Sequence, residues 1–273
     1  MNLSQTPERL FIDGIALWSQ RLPGWERARR ILGGLEPAPL EPAPRPSPEL
    51  LPATERRRAP DTVSIAIDSA LRATAAAARD PATLPSGFTS MHGDLAITDY
   101  MCATLAGTPT ELSPTKFHNS VHNAAAGYWS IGSGCTRSYT ALSAAELSFG
   151  AGLLEACVQA LTGNEAVLLI AYDINARGPL AQVAPSQHML SVALVITPER
   201  SVHTVAQVDL QLRTGTNLRA SQPRAHNATL VAGNSSESCL PLMEALAIAG
   251  THDIICLAAP TLALSMKVHV GAA

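Results

Sequence analysis

Hydrophobic positions change rhythm several times along this chain, and each rhythm predicts a different kind of element. A short apolar stretch at residues 10–18 gives way to a basic, helix-like piece at residues 25–32. From Asp61 the period is 3.6: Val63, Ile67, Ala70, Leu71 and Ala78 fall on one face, with Asp61 placed to cap the amino end. A short strand at about residues 88–90 runs into His92-Gly93-Asp94 and a second helical stretch to about Leu105. Residues 146–162 read as a helix that Gly163-Asn164 stops. Residues 166–172 are apolar without interruption over the length of a strand, the pattern of a strand covered on both faces. Two alternating segments follow, 189–196 and 202–212, separated by Pro198-Glu-Arg, and predict a hairpin. A helix over 238–249 and two strands, about 254–257 and 262–270, complete the series. Helices alternating with buried strands predict a layered α/β domain.

Punctuation sets the organisation. Seven prolines between Pro37 and Pro52 remove backbone donors and disfavour helix at each preceding residue, so about 36–52 reads as a Pro-rich surface loop. The piece before it is too small for a core of its own, and residues 1–273 are expected to form a single domain. Arg56, Arg57 and Arg58, just after the loop, form a solvated charged face or a docking point for an acidic partner.

Composition narrows the function. With 47% hydrophobic and 15% charged residues, burial can meet the entropy cost of folding. A net charge of -3 and a pI near 6.2 provide no basic face for phosphate backbones, so nucleic acid is not an expected partner. No apolar run approaches the about 20 residues that span a bilayer. The first nine residues have no basic and apolar leader pattern, and the expected location is cytoplasmic. That location leaves the acceptor patterns at Asn227 and Asn234 unused. Cys102, Cys135, Cys157, Cys239 and Cys256 are widely spaced with no C-x-x-C, and most read as reduced thiols in apolar surroundings.

Chemical motifs are sparse. There is no G-x-S-x-G elbow, Walker loop or G-x-G-x-x-G, and Gly132-Ser-Gly134 reads as a turn. His118 and His122 are four apart, which on a helix would put both imidazoles on one face as metal ligands. The sequence between them lacks the H-E-x-x-H glutamate, and no third or fourth ligand is evident. No metal and no cofactor is expected.

Residues 113–131, which include Phe117, His118, His122 and the N-x-x-A-G pattern of Asn123 to Gly127, resemble the segment that precedes the nucleophile in β-ketoacyl-acyl-carrier-protein synthases. In those enzymes a strand and a sharp turn lead to a cysteine at the start of a buried helix, whose dipole favours the thiolate. An ungapped register from Asn123 to Gly163-Asn164-Glu165 puts Glu146 at the cysteine's place. With one gap, Thr140-Ala141-Leu142-Ser143 imitates the motif and Leu142 stands there instead. Neither side chain can form the acyl thioester. The family also uses two histidines in His-Gly-Thr and Gly-His contexts, and none of His188, His203, His226, His252 or His269 has such a context.

The resemblance therefore implies a thiolase-like layered fold with a complete N-terminal half and a shortened C-terminal half. It is similar to the chain-length-factor subunits of type II polyketide and aryl polyene systems. These pair with an active β-ketoacyl synthase as a heterodimer, work on acyl chains borne by an acyl carrier protein, and shape the tunnel for the growing chain. On this reading the chain is not an enzyme by itself. Phe117, His118, His122, Asn123, Gly127, Tyr139, Leu142 and Glu146 are its interface or tunnel candidates, and Arg56, Arg57 and Arg58 its carrier-docking candidates. Small residues at 124–127 and 144–145 would permit close approach of a partner backbone. The alternative is a synthase-like enzyme that decarboxylates malonyl-carrier through Glu146.

Overall fold

The structure, a computed structural model, describes residues 6–271; residues 1–5, part of the stretch read for a leader, and residues 272–273 lie outside the described residues. The strands are β1 (Glu8–Ser19), β2 (Ser86–Thr89), β3 (Tyr139–Leu142), β4 (Val167–Asp173), β5 (Leu190–Thr197), β6 (Ala206–Thr214), β7 (Gly250–Ala259) and β8 (Leu262–Val270). The helices are α1 (Trp25–Leu32), α2 (Ala53–Arg58), α3 (Asp61–Ala76), α4 (Leu95–Gly107), α5 (Pro114–His118), α6 (Ala124–Ser133), α7 (Ser148–Gly163), α8 (Ala225–Ala228) and α9 (Leu240–Ala247). The strands form one eight-stranded sheet in the order β3-β2-β4-β5-β1-β6-β8-β7. β2 is parallel to both β3 and β4, and every other pairing is antiparallel.

Residues of β4 alternate between two cores, as successive side chains of a strand must. Leu168, Ile170 and Tyr172 join Ala193 and Val195 of β5 against α3 and α6, around Ile67, Phe88 and Trp129. Val167, Leu169 and Ala171 join Val192, Leu194 and Ile196 against α1, α7 and α9, around Phe149, Leu153 and Met243. Each large aliphatic side chain buried in this way contributes about 1.5–3 kcal/mol before the entropy of ordering it is counted. The result is three layers, with the sheet in the middle.

β1 is covered on both faces too, but its alternation changes phase. Leu10 and Ile12 share a core with Ile15 and Leu17, so even positions give way to odd ones between residues 12 and 15. The pairing of β1 with β5 shifts register between Ile12 and Gly14, and the extra residue is Asp13. Although buried, Asp13 is partnered: Thr204 Oγ1 donates to Oδ1 at 2.8 Å, and Arg79 Nη2 donates to Oδ2 at 3.2 Å. Gly14 lets α3 approach, because a Cβ there would collide with the Ala73 carbonyl and meet Ala77.

Three expectations are corrected. The segments at 189–196 and 202–212 form strands but no hairpin. β1 lies between them, with Ser19–Phe11 paired to β5 and Glu8–Ile12 paired to β6, so the chain crosses over β1 and continues in the same direction on its other side. A strand nearly 180 residues upstream outcompetes the local turn because it buries both neighbours along one line. Asp61 does not cap α3: Pro60 occupies the N-cap, and Asp61 Oδ1 instead accepts from Arg45 Nη1 at 2.8 Å. Nor is α3 one-faced, since every residue from 62 to 70 is buried, while Ala78 lies beyond its end with φ +49 and is exposed. Residues 36–52 contain no helix or strand and run over the surface from α1 to α2. None of the helices among the described residues is long and apolar enough to cross a membrane.

Candidate functional site

β2, β3 and β4 are parallel, so their carboxyl ends fall on one side of the sheet, the usual place for ligand sites in such sheets. Asp173, the last residue of β4, is buried there. Its Oδ1 accepts from Ser90 Oγ at 2.7 Å and from the Met91 N–H at 3.1 Å, and its Oδ2 accepts from Ser236 Oγ at 2.7 Å. Burial pushes the Asp173 carboxyl above the usual aspartate range, against the pull of these donors. Asn234 completes the group: its Nδ2 donates to the Gln187 carbonyl at 2.9 Å, and its Oδ1 accepts from the Ser236 N–H at 2.9 Å.

The loop after β2 turns under this carboxyl. Ser90 Oγ also accepts from the Gly93 N–H at 2.9 Å, and Asp94 caps α4 through the Ile97 N–H at 3.0 Å. His122 Nε2 lies 2.9 Å from the Ser90 carbonyl; a carbonyl only accepts, so Nε2 carries the hydrogen. His92 Nε2 is buried with no partner, and desolvation lowers the pKa of this imidazole; the Asp173 charge opposes the shift and His122 adds to it. As site residues, Ser90, His92, Asp173, Asn234 and Ser236 are not legible in the sequence, where His92 marks only the entry to a helix and Asn234 an unused acceptor pattern. They come from three distant segments with no motif spacing.

From the end of β3 the chain enters the corner that the resemblance singles out. Ser143 Oγ donates to the Met91 carbonyl at 2.8 Å, tying this corner to the loop after β2. Ala145 has φ +50, a conformation side chains other than glycine rarely adopt. Ser148 locks the turn, its Oγ accepting from the Ala144 N–H at 3.0 Å and donating to the Ala145 carbonyl at 2.6 Å. Leu142 is the last residue of β3, while Glu146 is exposed and precedes the helix, which begins at Ser148 rather than at 146. No cysteine lies between Cys135 and Cys157. Cys135 is buried and its Sγ donates to the Leu84 carbonyl at 3.4 Å. Burial pushes the thiols of Cys157 and Cys256 up to about 12 and raises that of Cys239 as well, so none of the three is poised as a thiolate.

The other candidates divide into two places. Around the open edge of the sheet, Asn123 Nδ2 donates to Tyr139 Oη at 3.1 Å, and His118 stacks edge-on to Tyr128. Phe117, Val121, Ile131 and Tyr139 are all exposed, and of these Tyr139 belongs to β3 itself. β3 forms one border of the sheet, with β2 on one side and no strand among the described residues on the other. Of the small residues in this region, Ala125 and Ala126 point inward to the core, whereas Gly127 is half-buried with nothing close to where its Cβ would be. His118 and His122 do not share a helix face, because α5 ends at His118 and His122 lies in the following loop. No cluster of three potential metal ligands occurs among the described residues. Arg56, Arg57 and Arg58 form the last turn of α2, and Arg58 lines a cavity shared with Lys116 and Arg177.

A hydroxyl–imidazole–carboxylate chain elsewhere has a simpler reading. Thr251 Oγ1 is 3.0 Å from His269 Nδ1, and His269 Nε2 is 3.3 Å from Asp209 Oδ2. Asp209 also accepts from Arg9 Nε at 2.9 Å and from Gln207 Nε2 at 3.1 Å, so these groups form a polar ladder across β1, β6, β8 and β7.

The sequence matches the family described as β-ketoacyl synthase, N-terminal domain, over residues 32–248. No curated protein matches it. Among solved structures, a chain of the ketosynthase ApeO in complex with its chain length factor ApeC, from Xenorhabdus doucetiae, superposes with a TM-score of 0.70 at 19% identity, covering 97% of this chain and 100% of that one. A chain of the ishigamide ketosynthase/chain length factor superposes with a TM-score of 0.69 at 13% identity, covering 98% and 100%. A β-ketoacyl synthase from Burkholderia phymatum gives 0.56 at 15% identity, covering 89% of this chain and 72% of that one. The fold is thus the thiolase-like α/β architecture of the ketosynthases.

Proposed function

The chain belongs to the β-ketoacyl synthase family through its N-terminal domain, and from that premise we propose that it is a catalytically deficient ketosynthase-like subunit, a chain length factor. It pairs as a heterodimer with an active β-ketoacyl-ACP synthase and shapes the tunnel for an acyl or polyene chain, in aryl polyene or related polyketide or fatty-acid-type biosynthesis in the cytoplasm. Residues 1–273 act as one ketosynthase-like domain in this role.

One observation carries the reading: the corner from Ser143 to Leu147, where β3 turns into the buried helix α7, contains no sulfur. Without a thiolate there is no group to take an acyl chain from a carrier. The open border at β3 supports the pairing, since an edge with no further strand among the described residues, carrying the exposed Tyr139, offers backbone bonds and a side-chain surface to another chain. Two solved structures of the same fold are described as a ketosynthase with its chain length factor, and a third as an acyl-carrier protein in complex with its ketosynthase. The apolar cavities beside Cys157 measure about 80 and 10 Å³, too small for an acyl chain, which favours a tunnel bounded jointly with the partner. Glu146 has no hydrogen-bonding imidazole among the described residues, and the decarboxylase reading lacks an acid–base partner for it.

Co-expression with a complete synthase encoded beside it, followed by size exclusion with light scattering, tests the proposal. The expected result is a one-to-one complex whose product length changes when exposed residues near β3 are enlarged. A soluble monomer that leaves the synthase free overturns it.

A further inference from the structure

The sheet has two borders, and the chain treats them differently. β3 carries no charged residue, and no strand lies beyond it among the described residues. β7 is the other border, and a segment of the same chain returns to cover it. After β6 the chain runs through residues 215–224 with no helix or strand. The Gly215 N–H donates to the carbonyl of Thr261, in the turn between β7 and β8, at 3.0 Å. Further on, the Ser221 N–H donates to the Ile255 carbonyl at 2.9 Å, and Ser221 Oγ accepts from the Ile255 N–H at 2.9 Å. A buried carboxylate fixes the far end: Glu244 is 5% exposed, and both its oxygens accept from the Arg224 N–H at 3.0 Å.

In an antiparallel ladder a residue offers its N–H and C=O to the same side, and a new strand joins a border by exchanging both bonds with such residues. Ser221 takes both groups of Ile255, its hydroxyl standing in for the carbonyl that a strand would bring. It imitates one rung of the ladder without continuing it. The neighbouring outward positions are closed by other means. At Leu257, Gly150 of α7 lies so near the carbonyl that a Cβ there would collide with it. Asp253 is exposed, and a charge on a border strand discourages the addition of another. We propose that residues 215–224 act as a seal, anchored at Thr261 and Glu244 and clasped at Ile255, that closes the β7 border to strand addition. The sheet then takes another chain at β3 alone, which gives a closed pair and not an open-ended stack.

The seal is a property of this chain alone, so its test is separate from pairing with a synthase. Amide hydrogen exchange of the full chain reads the clasp. Ser221→Ala should let the Ile255 N–H exchange about tenfold faster, and Ser221→Thr, which keeps a hydroxyl, should leave it at the wild-type rate. Sedimentation velocity reads the seal, with Ala141→Pro in every sample to keep β3 out of the comparison. Ala141→Pro alone should stay monomeric. Ser221→Pro/Ala141→Pro, which loses both the donor and the hydroxyl, should form concentration-dependent oligomers while keeping a native circular dichroism spectrum. Unchanged exchange of the Ile255 N–H in Ser221→Ala would overturn the proposal, and so would a folded, monomeric double variant. Oligomers of Ala141→Pro alone count against it too, since β7 would then be open with the seal in place. Should the proline pair fail to fold, Ser221→Ala/Ala141→Pro replaces it, and a monomer there rejects the seal equally.

Discussion

Ser236 Oγ donates to Asp173 Oδ2 at 2.7 Å, joining the last third of the chain to the carboxyl end of the central strand β4. The opposite oxygen of the same carboxylate holds Ser90 and Met91, so one buried side chain fixes the loop after β2 and the segment around Asn234 together. Asp173→Ala should strand two hydroxyls and an N–H and cost about 3 kcal/mol. Asp173→Asn should cost much less, since an amide oxygen still accepts from Ser90 and Met91 and Ser236 can rotate to accept. Urea denaturation of the two variants decides; equal losses would mean that the carboxylate is not the tie.

His92 sets a pH dependence of definite sign. Its folded pKa is depressed, chiefly by desolvation, so the native state binds this proton less readily than the unfolded chain does. Stability should therefore fall as pH drops from about 6.5, the unfolded value for histidine, through the lower folded value. Asp173, whose folded pKa is raised, acts in the other direction, gaining stability only as pH falls through its own raised value toward about 3.9, the unfolded value. Thermal melts of wild type and His92→Gln between pH 7 and 5 check this, and the variant should show the shallower decline.

What was legible in the sequence follows the range of the interactions. The continuous apolar run of β4 and the stop of α7 at Asn164 (φ +50) are local, and residues a few positions apart encode them. The insertion of β1 between β5 and β6 depends on a partner nearly two hundred residues away, and the turn at Pro198 looks the same whether or not the strands pair. Buried polar groups are harder still: Asp173 belongs to an apolar-looking strand, and its donors acquire meaning only in three dimensions. At the β3–α7 corner the missing thiol was readable, but the left-handed Ala145 was not.

Gly14 is the point at which α3 presses on β1. Gly14→Ala would drive a Cβ into the Ala73 carbonyl and against Ala77, and relief requires moving a helix buried on nearly all sides. Overpacking of this kind costs about 1–3 kcal/mol. A lowered urea midpoint at unchanged slope is expected; an unchanged midpoint would mean that α3 is free to shift.

The cysteines make a chemical prediction. Cys102 is exposed, and Cys135, Cys157, Cys239 and Cys256 are buried. Native protein should release one equivalent of chromophore with an aromatic disulfide reagent at pH 8, and denatured protein five, the count of cysteines in the sequence. Fast native reaction of Cys157, Cys239 or Cys256 would contradict the raised pKa values of these three thiols and restore a candidate nucleophile.

The border strand offers a test of pairing that spares the fold. Ser138 and Leu142 direct their carbonyls to the β2 side, accepting from the Ser86 and Ser90 N–H groups at 3.2 Å each. Backbone groups alternate along a strand, so Tyr139 and Ala141 present theirs to the open side. Proline at Ala141 would remove a donor from that side alone and leave the ladder to β2 in place, which is the position where an edge strand tolerates it. Proline at Thr140 would instead break the internal ladder. Ala141→Pro should therefore keep a native circular dichroism spectrum and weaken binding of the partner synthase by at least tenfold, whereas Thr140→Pro should destabilise the chain itself. If Ala141→Pro binds the synthase as wild type does, the partner does not add a strand at β3.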